Sequence, residues 1–274
     1  MTWRELLAQG ESRLRQAGIS DARQDAWYLF SFAADMSREA YFLHMEEAAD
    51  PKLEKQYHEL LKERERHVPL QHLTGTQDFM GLTFRVNEHV LVPRQDTETL
   101  VEEAIKMISP GERVLDLCTG SGCILLSLSK YCRIEGYGVD ISPEALTVAR
   151  ENAGELGLEA QWLLGDLFEP VTGTFDVIVS NPPYIPSHVI EGLMPEVRLF
   201  EPRIALDGSG DGLEFYRKIA RQSGDYLRPG GRLLLEIGYD QGEAVSTLLK
   251  EAGFSDVCVK KDLCKNDRVV TARR

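Results

Sequence analysis

Apolar positions in the first seventy residues recur at helical spacing. Leu6, Leu7, Leu14 and Ala17 make one stripe behind Thr2 and Glu5, which have capping-box spacing. A second stripe runs from Asp21 through Ala26, Trp27, Leu29 and Phe30. Asp50-Pro51 supplies a cap and a first-turn residue to a third, in which Leu53, Tyr57, Leu60 and Leu61 share a face until Pro69 ends it. This pattern predicts a helical bundle over residues 1–75. The run QDFMGLTFRV then alternates around Met80-Gly81, as a hairpin does, and predicts a β-hairpin linker over residues 76–92.

Beyond the hairpin, helical and strand patterns alternate over residues 93–274. A helix opening at Asp96 carries Leu100, Val101, Ala104, Ile105 and Ile108. Apolar strands are expected at Arg113–Leu117, Gly136–Val139, Ala160–Leu164, Phe175–Ser180 and Arg232–Ile237. Helices near 122–130, 143–156, 213–226 and 241–252 separate or follow them. Val257–Val259 and Arg268–Thr271 suit an antiparallel pair. Short apolar strands between amphipathic helices predict an α/β fold with a mostly parallel sheet covered on both faces.

Composition narrows the function classes. With 274 residues the chain can build two cores, and 43% hydrophobic against 27% charged residues is ordinary for a globular protein. The N-terminal stretch lacks the basic-then-apolar order of a signal peptide, and no apolar run is long enough to span a membrane, so a cytoplasmic protein is expected. Five cysteines without a CxxC pair suggest neither a disulfide framework nor a metal site. A net charge of −13 disfavours a phosphate-backbone partner.

In an open α/β sheet, ligands bind beyond the carboxyl ends of the strands. After the first strand comes Asp116-Leu-Cys118-Thr119-Gly120-Ser121-Gly122, whose glycines allow a tight turn and close backbone approach. The third glycine of a dinucleotide fingerprint would fall at Leu125, and no Walker lysine follows, which leaves phosphate binding unsupported. After the second strand stands Asp140, where a carboxylate can accept from both hydroxyls of a ribose. After the third, Asp166-Leu167 offers a carboxylate to an exocyclic amine and an apolar face to an adenine, or else a simple helix cap. The fourth strand ends in Asn181-Pro182-Pro183-Tyr184. An amide nitrogen is a poor nucleophile unless its orbital is aimed along the reaction axis. The Asn181 side-chain oxygen and the Pro182 carbonyl can each accept one N–H of a planar NH₂ group, Tyr184 can stack on it, and two prolines stiffen the loop. These features point to methyl transfer from S-adenosylmethionine to an amide or amino nitrogen, with Asn181, Pro182 and Tyr184 as the catalytic set.

Taken with longer segments, the pattern resembles the peptide-chain release factor glutamine methyltransferases, the HemK or PrmC family. The matching segments are Pro69–Gly75, Val90–Glu98, Val114–Gly122, Ser180–Ile185, Glu201–Asp207 and Leu235–Tyr239. The resemblance implies a small N-terminal helical domain that recognises the release factor, a hairpin linker, and a seven-stranded class I S-adenosylmethionine-dependent methyltransferase domain. It also implies cofactor contacts from Cys118 to Gly122, at Asp140, around Asp166 and Leu167, and at Asn181. Asn181 through Tyr184 would hold the glutamine of the GGQ motif in class I release factors, and S-adenosylhomocysteine would be the second product. The expected partner is a release factor, with no nucleic acid, no membrane and a monomeric state. Cys118 stands where the family commonly has glycine, Gln95 where it often has proline, and Leu167 where it often has tryptophan.

Other features are open at this level. Asp207 to Gly212 imitates the opening of a calcium loop, but its twelfth position is Lys218 where a bidentate glutamate is needed, so a plain loop is expected and no metal site. Arg94 and Glu98 read equally as a helix cap with a salt bridge or as an arm of the active site. The Pro- and Gly-rich segment 185–212 has no periodicity and could close over a bound glutamine loop. Two competing readings are a nucleic-acid amino methyltransferase, which uses the same NPPY logic on a base, and a non-catalytic binding protein that keeps the fold as a scaffold.

Overall fold

The computed structural model describes residues 1–274. The chain divides into two compact units, residues 1–76 with 194–200, and residues 77–193 with 201–274.

The first unit contains α1 (Trp3–Gln16), α2 (Ala22–Ala34), α3 (Arg38–His44), α4 (Pro51–Glu65) and α5 (Leu70–Thr74). The capping box forms: the Glu5 N–H donates to Thr2 Oγ1 at 3.2 Å and the Thr2 N–H to Glu5 Oε2 at 2.8 Å. Asp50 accepts the Lys52 N–H at 2.6 Å, with Pro51 opening α4. Asp21 holds the N-cap position of α2 but makes no side-chain cap bond. Two helices escape the sequence pattern. In α3 only Tyr41 is buried, and the exposed Phe42 and Leu43 hide its period. Pro69 opens α5, while α4 already ends at Glu65.

Phe30 lies at the centre of this unit, with the rings of Trp3, Tyr41 and Tyr57 edge-on at 5.9, 5.5 and 5.7 Å. Arg64 is buried and pairs with Asp25 at 2.7 Å and with Glu196 at 2.9 Å. Glu196 sits on a short helix, Pro195–Phe200, that belongs to this unit although the chain reaches it only after most of the sheet.

Gly10, inside α1, is required by a close approach. A Cβ there would fall 2.0 Å from the hydroxyl of fully buried Tyr57, which donates to the Ala26 carbonyl at 3.0 Å. Gly10→Ala would regain about 0.5–1 kcal/mol of helix propensity, but overpacking costs about 1–3 kcal/mol and the displaced hydroxyl leaves a buried acceptor unpaired. We expect a net loss of about 2 kcal/mol, read as faster hydrogen exchange in α1 and α4; equal or slower exchange would contradict it.

The second unit begins with the hairpin β1 (Thr76–Phe79) and β2 (Leu82–Arg85), whose Thr76 falls with the first. Met80 and Gly81 both have positive φ, 50° and 70°, the conformation of a two-residue type I′ turn. Phe79 and Phe84 are buried in one core with Leu100, Ile124 and Leu128. The hairpin is thereby built into the sheet unit. It also receives Glu98, whose carboxylate accepts the Met80 N–H at 2.6 Å, and Tyr131, whose hydroxyl donates to the Met80 carbonyl at 2.6 Å.

There follow in chain order α6 (Gln95–Ile105), β3 (Arg113–Leu117), α7 (Cys123–Cys132), β4 (Glu135–Asp140), α8 (Pro143–Leu156), β5 (Gln161–Leu164), β6 (Phe175–Ser180), α9 (Pro195–Phe200, the short helix of the first unit), α10 (Glu214–Tyr226), β7 (Leu227–Glu236), α11 (Gly242–Glu251), β8 (Ser255–Lys261) and β9 (Asp267–Arg273). The seven-stranded sheet has the order β5-β4-β3-β6-β7-β9-β8, with β9 antiparallel to both neighbours and the rest parallel. Alternate residues of the central strands feed two cores: Leu115, Ile178 and Leu233 pack with Tyr216, Ile219 and Val245, and Val114, Val177 and Leu234 with Leu100, Ile124 and Leu128. Burial on both faces explains why these strands read as unbroken apolar runs. The α/β class, the mostly parallel sheet and the antiparallel terminal pair are as expected. No helix is long and apolar enough to cross a membrane.

Candidate active site

Strand order reverses between β3 and β6, where Leu117 pairs with Ser180. A crevice is expected outside the carboxyl ends at such a switch point. A cavity of about 200 Å³ lies there, with Thr119, Gly120, Asp140, Leu167 and Asn181 among its walls. A larger, open groove of about 880 Å³ on the helical unit, lined by Trp27 and Arg38 among others, brings none of these groups together.

The loop after β3 turns sharply. Cys118, Gly120 and Gly122 have φ of 59°, 55° and 79°. At Gly122 a Cβ would meet the Trp162 ring at 2.9 Å and Ala149 at 3.3 Å, so glycine is needed for packing as well as for conformation. Cys118 adopts the left-handed conformation without being glycine, at a cost of roughly 1–2 kcal/mol. Beneath the loop Thr119 donates to Asp116 Oδ2 at 2.6 Å, and burial pushes the Asp116 carboxyl up to about 7. The Ser121 carbonyl accepts from Asn152 at 2.9 Å, and the same side chain accepts the β2 Arg85 N–H at 2.7 Å. The hairpin therefore braces the loop.

Asp140, ending β4, accepts the Gly120 N–H at 2.8 Å on one oxygen and the Ser142 N–H at 3.0 Å on the other. Burial raises its carboxyl from the usual range, while these amides oppose the shift. One lone pair on each oxygen stays available to a pair of vicinal hydroxyls. Asp166 is exposed, lies in a turn instead of capping a helix, and faces Lys218 at 3.6 Å. Leu167 is buried with φ 50°. Ile141, Ala145 and Phe215 complete an apolar slot beside it. The order of carboxylate, slot and amide-rich turn fits a nucleoside carrying an amino-acid tail. Phe215 adds an aromatic face where Leu167 is small, and the sequence pattern, which marks 215 only as part of a helix, does not single it out.

Asn181 and Pro183 line the same cavity from the end of β6. The Asn181 Nδ2 donates to Thr97 Oγ1 at 3.3 Å, so the side-chain oxygen is the end left for another partner. Tyr184 is partly buried, its hydroxyl 3.5 Å from Glu236 Oε1, and its carbonyl accepts from Gln241 at 3.1 Å. Gln241 also donates to the Gly212 carbonyl at 3.3 Å, and Gly208 and Gly212 press on the Tyr184 backbone, where a Cβ would come within 2.7 and 2.3 Å. Neither Thr97 nor Gln241 stands out in the sequence, because each acts across a long chain separation.

Arg94 and Glu98 part company. Arg94 lines the cavity and donates to buried Glu201 at 2.6 Å, whereas Glu98 holds the hairpin turn; they form no pair with each other. Segment 185–212 is clamped at its base: Ile185 accepts from Gly208 at 2.9 Å and donates to Leu206 at 3.0 Å. Asp207 is engaged by Ser187 and the Ser209 N–H, and Asp211 by Arg217, so the calcium-like sequence serves as loop scaffolding.

Residues 95–195 match the "Methyltransferase small domain" family, and residues 5–75 the "PrmC N-terminal domain" family. The release factor glutamine methyltransferase of Geobacter sulfurreducens is 40% identical, covering 99% of this chain and 96% of that one. That of Moorella thermoacetica is 43% identical, covering 100% and 99%. The chain belongs to the release factor glutamine methyltransferase family. A solved methyltransferase from Pyrococcus furiosus shares the fold at 20% identity, with a TM-score of 0.57 over 77% of this chain and 98% of that one. The family resemblance read from the sequence motifs, the class I fold and the use of S-adenosylmethionine are therefore as expected.

Proposed function

We propose that this chain transfers a methyl group from S-adenosylmethionine to the side-chain amide nitrogen (N5) of the glutamine in the GGQ motif of class I peptide-chain release factors, in support of translation termination. The observation that carries this reading is the orientation of Asn181: its NH₂ is turned inward to Thr97, and its carbonyl oxygen is left as an acceptor at the cavity. An acceptor there matches the N–H of a substrate amide.

Asp140 takes the two ribose hydroxyls, Cys118 to Gly122 turn backbone toward the amino-acid tail, and Asp166 with Leu167 borders the adenine. When bound, S-adenosylmethionine supplies an electrophilic sulfonium methyl. The chain's own task is orientation: Asn181 Oδ1 and the Pro182 carbonyl each accept one N–H of the glutamine amide and aim its nitrogen at the reaction axis. Pro182 and Pro183 hold these acceptors before substrate arrives, and Tyr184 lies against the planar amide. Burial raises the Tyr184 phenol, which keeps it neutral. Proton loss can follow transfer, so no strong base is needed; positioning of this kind contributes on the order of 7–11 kcal/mol in ideal cases. The helical unit recognises the release factor, and the enzyme works as a cytoplasmic monomer without nucleic acid.

The test is transfer of labelled methyl to purified release factor, with a GGQ-to-GGA variant and total RNA and DNA as parallel acceptors. Label on the intact release factor alone is expected. Label on nucleic acid would move the chain to the base-methylating alternative.

A further inference from the structure

The cavity at the switch point carries few charges: Asp140, Asp166 and Lys218, with Arg94 and His89 on another stretch of wall. Lys218 pairs with Asp166 at 3.6 Å and lies over the Phe215 ring at 5.6 Å, beside the apolar slot. His89 stands 3.9 Å from Glu88. Arg94 differs in place and in partner. It is the N-cap residue of α6, and its carbonyl accepts the Thr97 N–H at 3.1 Å. Thr97 in turn accepts from Asn181 at 3.3 Å, so Arg94 sits one helical turn from the Asn181 end of the cavity. We propose that Arg94 binds the α-carboxylate of the cofactor's amino-acid tail, a proposal that rests on the S-adenosylmethionine reading above and not on the identity of the methyl acceptor.

The argument starts from the ligand's charge. The tail carries a full carboxylate, and enclosing it in a cavity that already holds two carboxylates requires a cation close by. With Lys218 engaged by Asp166 beside the slot, Arg94 is the guanidinium that remains, and it stands toward the reacting end, where the tail must lie once the ribose is on Asp140.

The pairing of Arg94 suits this task. Its Nη2 donates to Glu201 Oε1 at 2.6 Å, and the pair is one-armed, because Glu201 Oε2 has no partner. A guanidinium offers a rigid fork of N–H donors, so most of them stay open to a second carboxylate. Glu201 is 6% exposed and forms no part of the cavity wall, whereas Arg94 does, with 42% of its side chain exposed. The guanidinium therefore stands between a buried acid and the cavity. Its anchoring by Glu201 restricts the long side chain before a ligand arrives, which lowers the ordering cost of binding. Both residues belong to the sheet unit.

The experiment titrates the full-length protein calorimetrically with two ligands and no methyl acceptor. S-adenosylhomocysteine carries the tail, and 5′-methylthioadenosine is the same nucleoside thioether without a carboxylate. Wild type should bind the first more tightly by about tenfold or more. Arg94→Gln should weaken S-adenosylhomocysteine by about ten- to a hundredfold, the loss of one charge-assisted pair, and leave 5′-methylthioadenosine within about twofold. Arg94→Lys, which keeps the charge but not the fork, should fall between wild type and Arg94→Gln. Retained 5′-methylthioadenosine binding also shows that the variant has folded. Equal weakening of both ligands would make Arg94 a support of the fold and overturn the proposal. So would unaltered S-adenosylhomocysteine binding in Arg94→Gln, and a raised KM for release factor in that variant would then give Arg94 to the protein substrate. Wild type that binds neither ligand would overturn the cofactor reading together with the proposal. Wild type that binds S-adenosylhomocysteine yet methylates no release factor would overturn the glutamine-methylating function alone.

Discussion

Replacing Asn181 with alanine is expected to lower turnover about a hundredfold or more while leaving cofactor affinity within a few fold. The side-chain oxygen is the acceptor for the substrate amide, and its value lies in directing a nucleophile whose lone pair is otherwise delocalised. A hundredfold loss corresponds to about 2.7 kcal/mol of transition-state stabilisation, in the range of an orienting hydrogen bond made in a desolvated site. The cofactor side is spared because Asp140 and the loop after β3 are held by Gly120, Ser142 and Asn152, none of which leans on Asn181. Single-turnover kinetics beside calorimetric titration with S-adenosylhomocysteine separates the two terms. Unchanged turnover would remove Asn181 from the mechanism.

Gly212→Ala is expected to be comparably damaging from a position with no reacting group. Gly212 has φ 75°, and an added Cβ would sit 2.3 Å from the Tyr184 carbonyl oxygen and 2.9 Å from Gln241 Nε2. The first obstacle is backbone and cannot rotate away. The second is the amide that clamps Tyr184 to Gly212, so relief of the clash opens the clamp. Left-handed strain of roughly 1–2 kcal/mol adds to overpacking of about 1–3 kcal/mol. A stability loss of about 2–4 kcal/mol, a thermal midpoint lower by about 5–10 degrees and turnover down by tenfold or more should follow. Steady-state assays below the melting transition, with differential scanning calorimetry, check both. Wild-type turnover in this variant would mean that the placement of Tyr184 does not matter to the reaction.

Much of this molecule is legible one strand at a time. The apolar runs at 113–117 and 175–180 follow from burial on both faces of a parallel sheet, and the residues that succeed each strand follow from the geometry of open sheets. Asp140 and Asn181 are therefore candidates before any fold is drawn. The Met80-Gly81 turn is local in the same sense. Elements were missed where the local signal is weak: α3 buries only Tyr41, so its apolar stripe is overwritten by Phe42 and Leu43, and α5 is a single turn after a proline that reads as a stop. Residues 194–200 join the helical unit through Arg64 and Glu196, a pairing across 132 positions that no periodicity announces.

The sequence by itself determined the α/β pattern, the strand-end carboxylate and amide, and through its motifs the family, because each depends on spacing within a few residues or on runs of matching letters. Tertiary structure alone decided the partners. It separated Arg94 from Glu98, set Glu201 against the first, put Gln241 behind Tyr184, and set Thr97 against the Asn181 amide. Hydrogen-bond polarity belongs to pairs of groups brought within about 3 Å, and chain separation says nothing about which pairs those are until the sheet and its helices have closed around them.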